Sequence, residues 1–242
     1  MNYVVKNTWK FDTKQLKKEL YDLLKENKSN DIQKGGLHGL CITSQDGSLY
    51  NGFNFNVGLQ DPPYSEQDKT NPNPRIYFNL DYARQHKIYH MLDYEVETIA
   101  CKGIWKHIVN FLYEKGMNPR RVRLSYLPPN GIIHKHSDGG GFKLHIPIVT
   151  EGTDFVHGDH TYKLEEGGCY MADVSPYHYV KNNGKTDRWH LVADVWDTVG
   201  NFSIGKISKE EFDVERKNAV LWRNYVNGKT QNPKKILLGE KN

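Results

Sequence analysis

No apolar run in this chain approaches the roughly 20 residues needed to span a bilayer. The opening residues, Met-Asn-Tyr-Val-Val-Lys, hold no long apolar stretch and no signal-peptide pattern, so a cytoplasmic protein is expected. Cysteine is sparse. Cys41, Cys101 and Cys169 are scattered and show no C-x-x-C spacing, which argues against a disulfide framework and a cysteine-based zinc site and fits a reducing compartment. Charge of one sign is barely in excess, with 33 Lys and Arg against 29 Asp and Glu. Lys17-Lys18, Arg120-Arg121 and Lys234-Lys235 are short pairs and read as ordinary solvated surface, so a nucleic-acid partner is not expected. Internal repeats and low-complexity segments are also missing. What remains is a 242-residue chain with 37% hydrophobic residues, enough for a sizeable core.

The chain divides into three stretches that together suggest one structural domain: 1–117 packing on a core, a core at 118–197, and a helix and tail at 198–242. In the first, Asp12 or Thr13 can cap a helix whose Leu16, Leu20, Leu23 and Leu24 share a face. Leu37–Thr43 and Leu49–Phe53 read as strands flanking Asp46-Gly47, a hairpin signal. Residues 59–95 carry Pro62-Pro63, Asn71-Pro72-Asn73-Pro74 and tyrosines at 64, 77, 82, 89 and 94, as a lid over a site or as a surface excursion packed on the core. A second helix is expected over 95–115, with Val96, Ile99, Ala100, Ile104, Ile108, Phe111 and Leu112 on its apolar face. From Arg121 to Val195 about eight short β-rich runs alternate with turn residues: 122–127, 132–137, 142–149, 155–157, 161–163, 169–173, 178–181 and 189–195. This texture predicts a mainly β core with flanking helices (α+β), as a jelly-roll or barrel. A last helix follows the capping box Ser208-Lys209-Glu210-Glu211, with Val214, Leu221, Trp222 and Tyr225 as its apolar stripe, able to cap the core or to dimerise.

The chemistry concentrates in the core. His136-Ser137-Asp138 is followed about forty residues later by His178, and His178 by Arg188 in an H-x9-R spacing. Side chains alternate along a strand, so residues 132, 134, 136 and 138 are expected on one face and an H-x-D pair delivers two ligands to one metal. Gly139-Gly140-Gly141 follow and allow a sharp turn with room beside the metal. Two imidazoles and a carboxylate are the donor set of non-haem iron(II) oxygenases, which leaves other coordination positions open. Arg188 can grip a carboxylate of 2-oxoglutarate in a bidentate pair, while its alternative is a surface salt bridge with Asp187. Lys143 and His145 alternate on one strand and are further candidates for the co-substrate, and His190 alternates with Arg188 in the same pocket. Asn182 is a candidate brace. His134 competes as a ligand, since His134-Lys135-His136 is the H-x-H pair of metal-binding cupins, and it is also a candidate pocket residue.

These residues resemble a known family. Leu127-Pro128-Pro129-Asn130-Gly131-Ile132-Ile133-His134-Lys135-His136-Ser137-Asp138, Leu144-His145-Ile146-Pro147-Ile148, Glu166-Gly167-Gly168 leading through Asp173 to His178-Tyr179-Val180-Lys181-Asn182, and Arg188-Trp189-His190-Leu191-Val192-Ala193-Asp194 are similar to the aspartyl/asparaginyl β-hydroxylase family over about 120–196. The resemblance implies a double-stranded β-helix (jelly-roll, cupin-like) core. It implies iron(II), 2-oxoglutarate as co-substrate and dioxygen, with succinate and carbon dioxide as co-products. By position it gives iron to His136, Asp138 and His178, and 2-oxoglutarate to Arg188 with His145 as helper. Some members lack the metal carboxylate; Asp138 is present here, as in the amino-acid hydroxylase branch. Lys143 departs from the pattern, where an arginine is common.

The activity expected is therefore dioxygenase hydroxylation of an unactivated C–H, on a free amino acid or on an Asp/Asn-type side chain of a polypeptide. The rival expectations are a metal-binding cupin enzyme that does not use 2-oxoglutarate, built on His134, His136 and His178, and a non-catalytic binding module. No membrane partner is expected, and oligomeric state is not readable from the chain.

Overall fold

A computed structural model describes residues 3–27, 38–50, 84–85, 87, 89–138 and 141–230, and among these residues lie twelve strands and three α-helices. The strands are β1 (Val4–Lys10), β2 (His38–Cys41), β3 (Thr43–Ser44), β4 (Val96–Glu97), β5 (Arg120–Leu127), β6 (Ile132–His136), β7 (Phe142–Val149), β8 (Thr153–His157), β9 (His160–Tyr162), β10 (Gly168–Asp173), β11 (His178–Asn182) and β12 (Arg188–Asp194). The helices are α1 (Thr13–Glu26), α2 (Gly103–Glu114) and α3 (Lys209–Val226). Among the described residues, no helix is long and apolar enough to cross a membrane.

Six strands make a sheet in the order β1-β10-β7-β12-β5-β2, and four make a facing sheet in the order β6-β11-β8-β9. From β5 onward the chain passes repeatedly from one sheet to the other: β5, β7, β10 and β12 lie in the larger, and β6, β8, β9 and β11 in the smaller. Every pairing within these two sheets is antiparallel. That alternation is a double-stranded β-helix, the core the resemblance implies.

Period-2 alternation gives the larger sheet two faces. Leu144, Ile146 and Ile148 of β7, Leu124 of β5 and Leu191 of β12 point outward, into a cluster completed by Leu16, Leu20 and Leu23 of α1 and Trp105, Ile108 and Leu112 of α2. The intervening residues point between the sheets. Val4 of β1 and Tyr170 and Ala172 of β10 line an apolar side of that interior with Leu127, Phe155 and Val180. The neighbouring strands β7, β12 and β5 bring in buried or half-buried Lys143, His145, Asp194 and Arg121.

Several expectations are corrected. α2 begins at Gly103, not near Glu95, because Val96-Glu97 pair with Thr43-Ser44 as β4 and β3, and the Thr98 hydroxyl donates to the Cys41 carbonyl. Ile99, expected on the apolar face, is 70% exposed. The helix start has no cap from its own N-cap residue Lys102; the Glu19 carboxylate of α1 accepts from the Ile104 N–H at 2.6 Å instead. Gly103 suits that approach, since its φ is +54° and a Cβ would meet Glu19 Oε2 at 2.1 Å. Among the described residues, no strand ladder forms across Asp46-Gly47. β2 pairs with β5, leaving one link from the Cys41 N–H to the Leu49 carbonyl at 2.8 Å; Leu37 and residues 51–53 lie outside the described residues. β1 was not expected, although its alternating burial is a strand's signature. The Arg120-Arg121 pair is not solvated surface: the two residues are 7% and 4% exposed.

α1 is capped by Asp12, whose carboxylate accepts from the Lys14 and Gln15 N–H groups. The capping box of α3 forms between Ser208 and Glu211. The expected stripe on α3 shifts, however. Val214 is 53% exposed, and Phe212, Ala219, Tyr225 and Val226 are the buried positions. α3 covers the segment just before β4: Phe212 and Ala219 pack with Leu92, Arg223 pairs with Asp93, and the Tyr89 hydroxyl donates to Asn227 Oδ1 at 2.9 Å. Of the stretch 59–95, residues 59–83 lie outside the described residues, as do 231–242 with Lys234-Lys235.

Candidate metal centre

Among the described residues, one group of histidine, cysteine and acidic side chains is spaced for a metal ion. It consists of His136, Asp138 and His178, whose candidate ligand atoms all lie within 4.8 Å of one another. β6 and β11 bring them together, because His136 and His178 are direct cross-strand partners. Asp138 lies just past the end of β6, its N–H donating to the Val174 carbonyl at 3.1 Å. The His136 Nε2 is 3.4 Å from Asp138 Oδ1, and the His178 Nε2 is 4.0 Å from Asp138 Oδ2.

The two imidazoles are oriented by backbone. His136 Nδ1 donates to the His134 carbonyl at 2.6 Å, and His178 Nδ1 donates to the Pro176 carbonyl at 3.0 Å. Tying Nδ1–H to a carbonyl fixes the tautomer and leaves Nε2 as the lone-pair donor, as metal-binding histidines require. The rings of Phe155, 5.9 Å away, and His157, stacked at 5.7 Å, also pack against His178. Burial pushes His178 down to about 4, so it offers a neutral ring. The hydrogen bond to Asp138 raises His136. Burial alone would raise Asp138, but Lys143 and His136 more than offset it and hold the carboxyl far below the usual range.

His134 does not join the group. Between the pairs His178↔His136 and Val180↔Ile133 the register of β6 shifts, so β6 spends one residue more than its partner. This bulge puts Ile133 and His136 on the inner side and leaves His134 exposed, against the simple alternation expected for 132, 134, 136 and 138. His134 serves the site with its carbonyl, not its ring, and the H-x-H pairing loses its geometric basis. Gly139 and Gly140 lie outside the described residues. At Gly141, with φ +111°, a Cβ would meet nothing within 4 Å, so the approach there is open.

A second cluster stands on the larger sheet. Arg188 is 2% exposed and makes no ion pair with Asp187, which instead accepts from the Tyr126 hydroxyl. Arg188 Nη2 donates to His190 Nδ1 at 2.7 Å, which places the His190 proton on Nε2, where it donates to the Thr150 hydroxyl at 3.0 Å. Burial and the Arg188 charge push both His145 and His190 well below the usual histidine range, and burial with Arg123 pushes Arg188 down to about 9, so it is still a cation at neutral pH. His145 lies 5.5 Å from Phe155, which in turn contacts His178, so the ring series His178–Phe155–His145–His190 links the metal ligands to Arg188. Arg188 Nε and both ring nitrogens of His145 are buried without a partner. Orphaned buried polar atoms are rare, and three in neighbouring side chains signal a polar ligand.

Lys143, expected with the co-substrate group, pairs directly with Asp138, so it stands at the metal end. Asn182 is fully buried at the far end of β11 from His178. Its amide donates to the Leu127, Pro128 and Thr186 carbonyls, bracing the turn before β6 and the entry to β12. Sequence reasoning missed Phe155, His157, Arg121, Arg123 and Asp194. The period-2 pair Arg121-x-Arg123 in an apolar strand was the available signal for the two arginines.

Comparison with family models matches residues 80–198 to aspartyl/asparaginyl beta-hydroxylase. Comparison with curated proteins finds no match. Among solved structures, the chain is similar to an oxidoreductase of the 2OG-Fe(II) oxygenase family from Burkholderia pseudomallei, at 17% identity and TM-score 0.29, over 32% of this chain and 43% of that one. It is similar to a predicted oxalate decarboxylase from Thermotoga maritima, at 20% identity and TM-score 0.29, over 36% of this chain and 71% of that one. It is also similar to a viral collagen prolyl hydroxylase from Paramecium bursaria Chlorella virus-1, at 14% identity and TM-score 0.30, over 41% of this chain and 72% of that one. The chain thus spans less than half the length of the Burkholderia protein. Residues 80–198, which include His136, Asp138, His178 and Arg188, match the aspartyl/asparaginyl beta-hydroxylase family.

Proposed function

We propose that this protein is an iron(II)- and 2-oxoglutarate-dependent dioxygenase that hydroxylates an unactivated C–H of an amino acid, free or as an Asp/Asn-type side chain. The observation that carries the reading is the pairing of the His136, Asp138 and His178 triad with a buried, partnerless Arg188 Nε and His145 ring. The donor set fits iron(II): two neutral nitrogens and one carboxylate from a single side. The cradle fits a dicarboxylate: a buried guanidinium backed by a neutral histidine and a hydroxyl. When bound, iron(II), 2-oxoglutarate and dioxygen supply an oxidation that turns C–H into C–OH and releases succinate and carbon dioxide.

The protein's own residues do the rest. His136 and His178 are aimed by the His134 and Pro176 carbonyls. Asp138 brings the negative charge, shared with Lys143 before metal arrives. Arg188 holds the distal carboxylate, and the apolar wall of Phe155, Val180 and Leu127 excludes water from one side of the space between the sheets. All three cysteines are free thiols, consistent with a reducing, cytoplasmic setting that keeps iron ferrous.

The test is succinate release by protein loaded anaerobically with iron(II) and then given 2-oxoglutarate and air, across a panel of amino acids and peptides. Asp138→Ala is expected to lose metal affinity and all succinate above background. Arg188→Ala is expected to weaken 2-oxoglutarate binding by about a hundredfold while metal affinity changes little. Iron-loaded protein that neither binds 2-oxoglutarate nor turns it over would sink the proposal.

A further inference from the structure

The smaller sheet carries a histidine on every strand along one rung. His136 of β6 opposes His178 of β11, His178 opposes His157 of β8, and His157 opposes His160 of β9. The first two belong to the metal centre and His157 does not. Yet His157 is fully buried, with its ring stacked on that of His178 and 13° between the planes. Tyr3, just before β1, stacks on His157 in turn, at 4.4 Å and 14°. Rings in near-parallel contact therefore run from Tyr3 through His157 to a metal ligand.

A second route joins the same residues. The turn between β10 and β11 supplies carbonyls to the frame of the triad. Val174 accepts from the Asp138 N–H, Ser175 from the Ser137 hydroxyl, and Pro176 from His178 Nδ1. The turn is fastened at Asp173. The Asp173 carboxylate accepts from the Ser175 N–H at 3.0 Å and from the Ser175 hydroxyl. The Asp173 N–H donates to the Tyr3 carbonyl at 2.9 Å, and the Asp173 carbonyl accepts from His157 Nε2. Tyr3 and His157 thus meet the metal centre twice, at the His178 ring and at the root of the turn that aims it. Packing alone is a poor account of the imidazole. Its Nδ1 is buried without a partner, a cost that phenylalanine would not incur. What the imidazole adds over phenylalanine is the donor to Asp173.

We propose that His157 and Tyr3 are positioning residues of the metal centre, so that metal affinity depends on the docking of β1. This rests on the metal reading above. The two residues act through Asp173 and His178 and offer the ion no ligand atom of their own. Linkage makes the dependence reciprocal: an ion held by His178 must tighten the docking of β1.

The experiment titrates the full chain with cobalt(II) under nitrogen. Visible absorption reads affinity and ligand geometry, and the melting temperature of each metal-free sample reads packing. His157→Phe keeps a stacked ring and removes the donor; it should weaken cobalt(II) binding by about tenfold or more and shift the absorption bands. Tyr3→Ala should weaken it by about tenfold, and Tyr3→Phe, which keeps the ring, should restore parent affinity. Cobalt(II) should slow amide exchange over residues 4–10 in the parent. Parent-like affinity and spectra in both His157→Phe and Tyr3→Ala, with only the melting temperature lowered, would reduce the two residues to packing and overturn the proposal. Exchange over 4–10 that cobalt(II) leaves unchanged would also overturn it. If His157→Phe does not fold, the two Tyr3 variants and the exchange measurement decide. A parent that binds no cobalt(II), or a His178→Ala variant that binds it as the parent does, would sink the metal reading itself and this proposal with it.

Discussion

At the scale of single residues, His145 and His190 set an acid limit on the fold. Both are buried beside Arg188 and lie well below the ordinary value of 6.5. A histidine depressed in the folded state adds stability that is present above the unfolded value and is lost as pH falls below it. Each imidazole should therefore contribute a loss of about 1.4 kcal/mol per pH unit below about pH 6.5, until its folded value is reached. Denaturant melts of the parent and His145→Gln between pH 7 and 5 check this: the variant should show the shallower dependence, and parallel curves would contradict it. Arg121 is the second singular residue. It is a non-glycine with φ +47°, a conformation costing about 1 kcal/mol or more, kept in place by burial and the Asp194 ion pair. The grouping of His136, Asp138 and His178 and the inward placing of Arg188 were legible in the chain from their spacing on short strands. Arg121, Arg123 and Asp194 were not. An adjacent arginine pair looks like surface until the strand that buries it is known.

At the scale of elements, the eight strands from β5 to β12 were legible because alternation and turn residues agree there. The start of α2 was not, since its apolar period continues backward through Val96 and Ile99 while β3 and a neighbouring helix decide otherwise. The Glu19 carboxylate replaces a local cap, so α1 and α2 are joined by a helix-end contact. Glu19→Ala should lower stability by about 1 kcal/mol and the Tm by about 2–4 °C. Differential scanning calorimetry reads this, and an unchanged Tm would remove Glu19 from the role. The β6 bulge was equally hidden, because strand periodicity carries no mark of an extra residue. It decides which histidine of His134-Lys135-His136 meets Asp138 and His178.

At the scale of the whole molecule, α3 holds Lys87 and residues 89–93 against the core. Arg223 meets Asp93, His90 is 3.5 Å from Glu215, and the Lys87 ammonium donates to the Val226 carbonyl at 3.0 Å. Asp93 is nearly fully buried with Oδ2 unpaired, so Arg223→Ala leaves a buried charge with less compensation. Amide hydrogen exchange over 209–226 should speed up in that variant while metal affinity stays within a few-fold. Unchanged exchange would mean that Phe212 and Ala219 alone dock the helix.

The edge strand β1 has a consequence for how the molecule is made. Residues 4–10 are synthesised more than 150 residues before their partner, β10, residues 168–173. The sheet therefore closes late, by a contact of very long sequence separation, which slows folding. Until β1 returns, β10 presents an open row of backbone groups, a template for pairing with another nascent chain. Chaperone dependence during synthesis follows from that one pairing.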